Sequence, residues 1–277
     1  MRLLIALAFC CAGYAPAHAH AQQTPDLADL SLEQLSDIVV TSVSRRQERL
    51  GDAPASVFVI GNDDIRRAGA TNVPEALRIA PNLQVARING GQYTVAARGG
   101  NTATSNKLLV LIDGRAVYTP LYAGVFWDVQ RVLLEDVDRI EVISGPGATL
   151  WGANAVNGVI NIITRHARET QGMLVEARAG DLDDGYSARY GGALGQHGHY
   201  RVYAKRALRG ESHYASGAAV ADRGRIGQVG MRADWTVGAD TYTLQGDVYD
   251  GFMEQLPQGR SVGGANLLAR WGRTFAD

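Results

Sequence analysis

The sequence predicts an α+β domain, with a small mixed sheet and short helices, followed by an incomplete antiparallel transmembrane β-barrel. Strand-like and helix-like segments are mixed from Pro54 to Arg165. Beyond Gln171, segments of alternating polarity follow one another, which is typical of barrel strands. Glycine is abundant, at 33 of 277 residues, whereas proline is sparse, at 8. This excess favours turns and strands over a disordered linker.

The composition and the motifs argue against nucleic-acid binding and against catalysis. Lys+Arg total 27 against 28 Asp+Glu, so the net charge is only −1 and does not indicate a nucleic-acid partner. There is no H-E-x-x-H motif, and Ser144 lacks the G-x-S-x-G context of a nucleophile. His197 and His199 flank a glycine and are expected to be solvated. We therefore expect no enzyme, no metal site and no cofactor.

The N-terminus has the layout of a secretory signal peptide, which we place at residues 1–21. Arg2 precedes an apolar run from Leu3 to Ala12, and Ala19-His20-Ala21 matches the cleavage pattern. Both cysteines, Cys10 and Cys11, lie inside the apolar run, so the mature chain is expected to contain no disulfide. A lipoprotein using Cys10 is the alternative, although Phe9 is bulky where a small residue is expected.

A β-prone segment follows at residues 37–44, near the expected N-terminus of the mature chain. It has no obvious hairpin partner in the sequence, so its backbone donors and acceptors are predicted to be available to another chain. The alternative is an ordinary first strand. Its residues are Asp37, Ile38, Val39, Val40, Thr41, Ser42, Val43 and Ser44.

Local signals place the elements of the α+β domain. Ser56 to Ile60 is predicted to be a strand, Asn62 to cap a helix through Arg67, and Asn72 to cap a second helix with proline in its first turn. Leu108 to Ile112 is an apolar strand, and the turn Asp113-Gly114 predicts a hairpin.

The stretch from Arg139 to Arg165 predicts two strands separated by a glycine-rich corner. Its glycines do not form a phosphate-binding loop: Ala153 and Asn154 replace the lysine and hydroxyl residue of a Walker motif, and Leu150 replaces the third dinucleotide-binding glycine. The alternative is a glycine-rich hairpin in some other globular domain.

This stretch, RIEVISGPGATLWGANAVNGVINIITR, together with LVLIDG, closely resembles the plug domain of TonB-dependent outer-membrane receptors. The resemblance implies a leader at 22–47, a plug at 48–165 and the N-terminal barrel strands at 166–277. It also implies that residues 37–43 are a TonB box, bound by a TonB-type energy-coupling protein. The expected ligand is a scarce nutrient, a ferric siderophore or cobalamin. The plug is expected to gate the barrel through which this ligand crosses the outer membrane.

Six barrel strands are predicted, at about 172–180, 185–195, 199–209, 226–237, 241–251 and 263–272. The shortest connections follow the second and fourth strands, and we expect these to be periplasmic. Four aromatic residues fall on the outward parity near those ends and predict an aromatic girdle: Tyr200, Trp235, Tyr242 and Trp271. A soluble β-sandwich is the alternative. Because six strands cannot close around a plug, we also expect the sequence to be a fragment.

The resemblance assigns roles to individual residues. Apical plug segments are expected to contact the ligand through Asn89, Gln92, Tyr93, Tyr118, Tyr122 and Trp127. Packing between plug and barrel is the equally weighted alternative for each of them. Plug-to-barrel contacts are expected at Arg98, Arg139 and Glu141, with surface ion pairs as the alternative. A rival for the whole chain is a soluble periplasmic module that never inserts in the membrane.

Overall fold

The computed structural model describes residues 38–40, 48–53 and 55–275. The predicted signal peptide, both cysteines, Asp37 and the segment from Thr41 to Val43 lie outside the described residues. Among the described residues, no helix has both the length and the apolar character needed to cross a membrane.

The α+β domain is built on a five-stranded mixed sheet. Its strands are β3 (Ser56–Gly61), β6 (Leu108–Ile112), β7 (Arg115–Ala116), β8 (Val137–Ser144) and β9 (Gly158–Thr164), in the order β3-β8-β9-β6-β7. Only the β6–β9 pair is parallel. Both faces are covered, which agrees with the nearly continuous apolar runs of β6 and β9. The two strands of the motif from Arg139 to Arg165 thus form the centre of this sheet.

Three short helices pack around the sheet: α1 (Asn62–Arg67), α2 (Val73–Leu77) and α3 (Ala148–Trp151). Asn72 caps α2 as predicted, because its Oδ1 accepts the backbone N–H of Glu75 at 3.1 Å. Short 3₁₀ turns occupy 50–52, 134–136 and 167–169. The core beneath α1 and α2 contains fully buried side chains from both helix and sheet, among them Ile60, Leu77, Ile140, Ile160 and Ile162.

Two small pairs of strands complete the domain. β1 (Val39–Val40) pairs antiparallel with β2 (Glu48–Arg49), and β4 (Gln84–Arg87) pairs antiparallel with β5 (Tyr93–Ala96). The turn between β6 and β7 is the hairpin that Asp113-Gly114 predicts, with both residues at positive φ, 49° and 81°.

Six long strands form a second, antiparallel sheet with neighbours in sequence order. They are β10 (Gly172–Arg178), β11 (Asp183–Leu194), β12 (Gly198–Arg209), β13 (Gly224–Val237), β14 (Asp240–Met253) and β15 (Arg260–Arg273). All six coincide with predicted strands to within a few residues. The connections at 195–197 and 238–239 define what we term the turn end of the sheet. Those at 179–182, 210–223 and 254–259 define its loop end.

The two faces of the six-stranded sheet differ in polarity. One face packs against the α+β domain and buries polar side chains, including Ser187, Arg201, Gln228 and Asp234. The opposite face exposes apolar side chains, including Val175, Val229, Val248 and Leu267. A sheet with a polar inner and an apolar outer face has the pattern of a barrel wall that faces lipid.

The predicted aromatic girdle lies in register at the turn end. Trp235 is paired with Tyr242, which is paired in turn with Trp271, so three neighbouring strands place an aromatic ring at one level of the outer face. Gly198 lies opposite Trp235 and leaves room for its ring, since a Cβ there would come within 2.3 Å of the indole. The arrangement matches an interfacial aromatic belt.

Candidate functional site

A buried ion-pair cluster joins the α+β domain to the six-stranded sheet. Asp136 lies just before β8 and is 2% exposed. One carboxylate oxygen accepts a hydrogen bond from Arg189 of β11, and the other lies 3.2 Å from Nε of Arg201 on β12. Both guanidiniums are themselves largely buried. Asp136 therefore compensates two cations that would otherwise be buried without a counter-charge.

A second cluster surrounds the end of β9, nearer the turn end. Thr164 receives hydrogen bonds at Oγ1 from Arg201 and Arg232, at 2.9 and 2.8 Å. The Asp113 carboxylate accepts the backbone N–H of Thr164 at 2.8 Å and the side-chain amide of Gln245 at 3.1 Å. Side chains from three barrel-type strands thus converge on the hairpin turn and the last residue of β9.

Three further contacts join the α+β domain and the segment after β9 to the six-stranded sheet. Asp234 on β13 accepts the Ala167 N–H at 2.8 Å, while Lys205 on β12 donates to the Val132 carbonyl at 2.8 Å. Arg260 at the loop end binds Asp128. The contacts run from the turn end to the loop end, so the whole length of the sheet holds the domain.

At the loop end, the turn between β4 and β5 meets the connection 210–223. Asn89 organises the turn: its Oδ1 accepts the N–H groups of Gly91 and Gln92, and its amide donates to the Gln92 side chain at 2.8 Å. Asp222 lies against Gly90, where a Cβ would come within 2.3 Å of the Asp222 carbonyl oxygen. Asn89 and Gln92 therefore shape a surface at the expected ligand-facing end and line a cleft there.

The four aromatic candidates separate into two groups. Tyr93 is only 8% exposed, and its hydroxyl donates to Glu75 at 2.8 Å beside α2; Trp127 is only 7% exposed and lies in the same core. Burial raises the pKa of the Tyr93 hydroxyl. The burial of these two residues agrees with the packing alternative, and their predicted contact with the ligand stays a prediction.

Tyr118 and Tyr122 are the accessible pair. Tyr118 is 47% exposed, and Tyr122 is partly exposed with its ring edge-on to Phe126 at a centroid distance of 5.3 Å. Burial raises the pKa of the Tyr122 hydroxyl, with a further contribution from Asp128. Both side chains therefore offer apolar ring area together with a polar hydroxyl group, which suits capture of a large ligand.

The residues expected at the plug-to-barrel boundary lie in the α+β domain. Arg139 donates from Nε to Glu141 at 2.9 Å and from Nη1 to Asp138. Arg98 adopts a positive φ of 58°, and its guanidinium approaches Gly145 at the start of the glycine-rich corner. The described contacts of Arg139 are thus to carboxylates of its own domain, and the predicted barrel contacts of these residues stay predictions.

The β-prone segment does have a partner, contrary to the expectation from sequence. Val39 pairs with Arg49 and Val40 with Glu48, and the Leu50 N–H donates to the Ile38 carbonyl at 2.7 Å. The side chain of Val40 is fully buried, whereas Val39 is exposed. The prediction of a free strand was wrong because an antiparallel partner of two residues leaves no recognisable sequence pattern. We call residues 38–40 the docked strand.

Metal ligation receives no support from the described part of the chain, where no group of three or more His, Cys, Asp or Glu side chains is clustered. His197 is exposed in its turn and His199 is partly exposed on β12.

The buried docking residues were missed by reasoning from the sequence. The signal that could have found them is the alternation of each strand, which places three arginines on the inward face: Arg189, Arg201 and Arg232. Their acidic partners, Asp113 and Asp136, lie at element ends far away in the chain. Nothing local in the sequence specifies such a pairing.

Comparisons with known proteins agree with this architecture. The family model described as TonB-dependent Receptor Plug Domain matches residues 49–159. The vitamin B12 transporter BtuB of Vibrio cholerae serotype O1 (strain ATCC 39541 / Classical Ogawa 395 / O395) is 34% identical over 170 residues, covering 61% of this chain and 27% of the relative. BtuB of Photobacterium profundum is 32% identical over 177 residues, covering 62% and 28%. The chain thus spans about a quarter of the length of these curated relatives.

Solved structures share the fold at low sequence identity. A structure of P. aeruginosa FpvA bound to heterologous pyoverdines aligns with a TM-score of 0.67 at 14% identity, over 86% of this chain and 34% of that one. The copper transporter OprC aligns with a TM-score of 0.62 at 20% identity, over 79% and 35%. These likenesses concern the fold.

The α+β domain docked on an antiparallel sheet defines a class of fold, a plug domain with part of a β-barrel wall. The match to the plug model and the BtuB relatives specify this further: residues 49–159 form a TonB-dependent receptor plug domain, and the chain as a whole resembles the TonB-dependent receptors. From here the α+β domain is called the plug.

Proposed function

We propose that this protein is an exported outer-membrane receptor that takes up a scarce nutrient, a ferric siderophore or cobalamin, in a TonB-dependent manner. In this proposal residues 1–21 are a signal peptide, 22–47 a leader with the TonB box, 48–165 the plug and 166–277 barrel strands. The protein binds and gates, and it does not catalyse.

The observation that carries the proposal is the docking of the plug on a two-faced sheet. Buried charges such as Asp136 and Arg201 connect the plug to the polar face, while the other face is apolar with aromatic rings in register at one end. A soluble domain would gain nothing from exposing that apolar face to water. A plug inside a membrane barrel requires both features.

Ligand capture is assigned to the loop end. Asn89 and Gln92 shape the apical turn, and Tyr118 and Tyr122 present accessible rings at the neighbouring segment. The BtuB relatives support cobalamin as a candidate ligand, and the siderophore receptors among the similar folds support ferric chelates.

Energy coupling is assigned to the TonB box at residues 37–43, of which the docked strand is the described part. Its attachment consists of a two-residue pairing and one fully buried valine, a side chain whose burial contributes about 1.5–3 kcal/mol. Such a segment can detach at modest cost and then add as a strand to the sheet edge of an energy-coupling protein. Pulling on it would act first on the N-terminal part of the plug.

Uptake by the full-length protein tests the proposal. A strain that depends on this receptor is given radiolabelled cyanocobalamin or a radiolabelled ferric siderophore, with and without a functional TonB protein. We expect surface binding in both strains and uptake only with TonB, and the protein should fractionate with carbonate-resistant outer membranes. Release with the soluble periplasmic contents would favour the non-inserting module instead.

A further inference from the structure

We propose that the cleft at the loop end binds a carboxylate group of the ligand through Arg209, the last residue of β12. This inference rests on the proposed receptor function and narrows its ligand to a chelate that carries free carboxylates. It concerns a residue outside the apical turn and outside the aromatic pair assigned above.

The guanidinium of Arg209 has one edge occupied and one edge free. Its Nη1 donates to Oδ1 of Asp183 at 2.8 Å. Nε and Nη2 are buried and have no hydrogen-bond partner among the described residues, although the side chain as a whole is only 8% exposed. These two N–H groups lie on the same edge of the planar group and point in parallel. That edge matches the two oxygens of a carboxylate.

The surroundings of Arg209 favour an anion over a cation. Arg260 lines the same cleft: it binds Asp128 through Nη2, and its Nε is also buried without a described partner. Arg131, a third guanidinium on the cleft, donates from Nε to the Asp128 carbonyl at 3.0 Å. Two guanidiniums thus contact the carboxylates of Asp128 and Asp183, and a third contacts the Asp128 backbone.

The remaining acids of the cleft have other partners or are exposed. Oδ1 of Asp222 accepts the Ser212 N–H at 2.8 Å, whereas its Oδ2 is buried without a described hydrogen-bond partner and the carboxylate interacts electrostatically with Arg209. Asp184 accepts the Gly180 N–H at 3.1 Å. Glu254 is exposed at the start of the connection 254–259. No acid of the described chain lies within ion-pair distance of the free edge of Arg209, since its ion pair runs from Nη1 to Asp183.

In this proposal the connection 210–223, which follows Arg209 directly, moves to expose the free edge. Asp222 belongs to this connection, lines the cleft and packs against Gly90 of the apical turn. Because both donors are buried, a ligand carboxylate reaches them when this connection moves off the turn. The incoming carboxylate then accepts hydrogen bonds from both donors. A carboxamide has only one acceptor oxygen and therefore gains less binding free energy at this edge.

The test uses the full-length receptor in outer-membrane vesicles and radiolabelled ferric citrate as the probe. The Arg209→Lys variant keeps the charge and can still pair with Asp183, but it lacks the parallel donors. We expect saturable binding to the native protein and a loss of affinity of about tenfold or more in Arg209→Lys. Arg206→Lys is the matched control, because Arg206 lies on the same strand, is exposed and does not line the cleft; the affinity of this variant should stay within about twofold of native.

A competition experiment on the native protein avoids any dependence on the variant's folding. Unlabelled tricarballylate should displace ferric citrate, and its triamide should not. The inference is overturned if the native receptor does not bind ferric citrate, if the triamide competes equally, or if folded Arg209→Lys binds as well as native. TonB-dependent uptake of cyanocobalamin without ferric citrate binding would overturn this inference alone. Absence of TonB-dependent uptake for both probes would remove the proposed function as well.

Discussion

Removal of the Asp136 charge should loosen the plug from the first barrel strands. Asp136 is almost fully buried and is the shared counter-charge of Arg189 and Arg201. The Asp136→Asn variant keeps the shape of the side chain but leaves two buried guanidiniums without compensation. Breaking a buried ion pair on one side costs about 3–5 kcal/mol. We expect the free energy of local opening at the start of β8 to decrease by this amount.

The assay is native-state hydrogen exchange of the β8 amides in the purified full-length receptor. A cost of about 3–5 kcal/mol corresponds to exchange faster by about two to three and a half orders of magnitude. Asp138→Asn is the matched control, because its carboxylate pairs with Arg139 and its side chain is 43% exposed. An exposed pair of this kind contributes about 0–1 kcal/mol. Equal effects of the two variants would refute the assignment of Asp136 as the anchor.

Three further predictions concern coupling, ligand capture and pH. Val40→Pro, which removes a backbone donor and restricts the preceding residue, should abolish energised uptake and leave surface binding intact, whereas Val40→Ala should retain much of the uptake. Alanine at both Tyr118 and Tyr122 should weaken ligand binding to whole cells by about tenfold or more, because accessible aromatic anchors carry much of a binding energy. Burial raises the pKa of Glu135, so the folded state binds this proton more tightly than the unfolded state. The free energy of unfolding should therefore fall as pH rises from the ordinary glutamate pKa through the raised one, and Glu135→Gln should flatten this dependence in urea titrations.

Each of these predictions has a contrary outcome. Loss of surface binding in Val40→Pro would make the docked strand a structural part of the plug. The control for the tyrosine pair is Tyr186→Ala, since Tyr186 is exposed on β11, a strand next to the edge of the sheet. If Tyr186→Ala weakens ligand binding as much as alanine at both Tyr118 and Tyr122, the two tyrosines do not form a specific ligand surface. If the free energy of unfolding of Glu135→Gln depends on pH as the native protein does, another titratable group is responsible.

Much of the fold was predictable because the signals are local. Alternating polarity depends on neighbouring residues, and the strands from β10 to β15 lie where alternation predicted them. The Asn72 cap and the Asp113-Gly114 turn depend on one or two residues each, and both are present. The outward parity of Trp235 and Tyr242 also follows from alternation alone.

Other features depend on residues that are distant in sequence. The parallel pairing of β6 with β9 brings together segments about fifty residues apart, and no turn signal marks it. Tyr93 was expected at the surface, but all four residues of β5 are buried because both faces of that strand are covered. The docked strand pairs with Glu48 and Arg49, although the sequence between the two segments contains no recognisable hairpin turn.

The sequence by itself therefore determined the type of the long strands and of helices α1 and α2, the face that each barrel strand turns outward and the family that the plug motif resembles. Only the tertiary structure decided which charges meet. Asp136 with its two arginines, and Arg209 with one edge on Asp183 and one edge free, depend on packing between plug and strands. The physical reason is range: backbone propensity and polarity act over a few residues, whereas a buried charge is stabilised by whichever counter-charge the folded chain brings within a few ångströms.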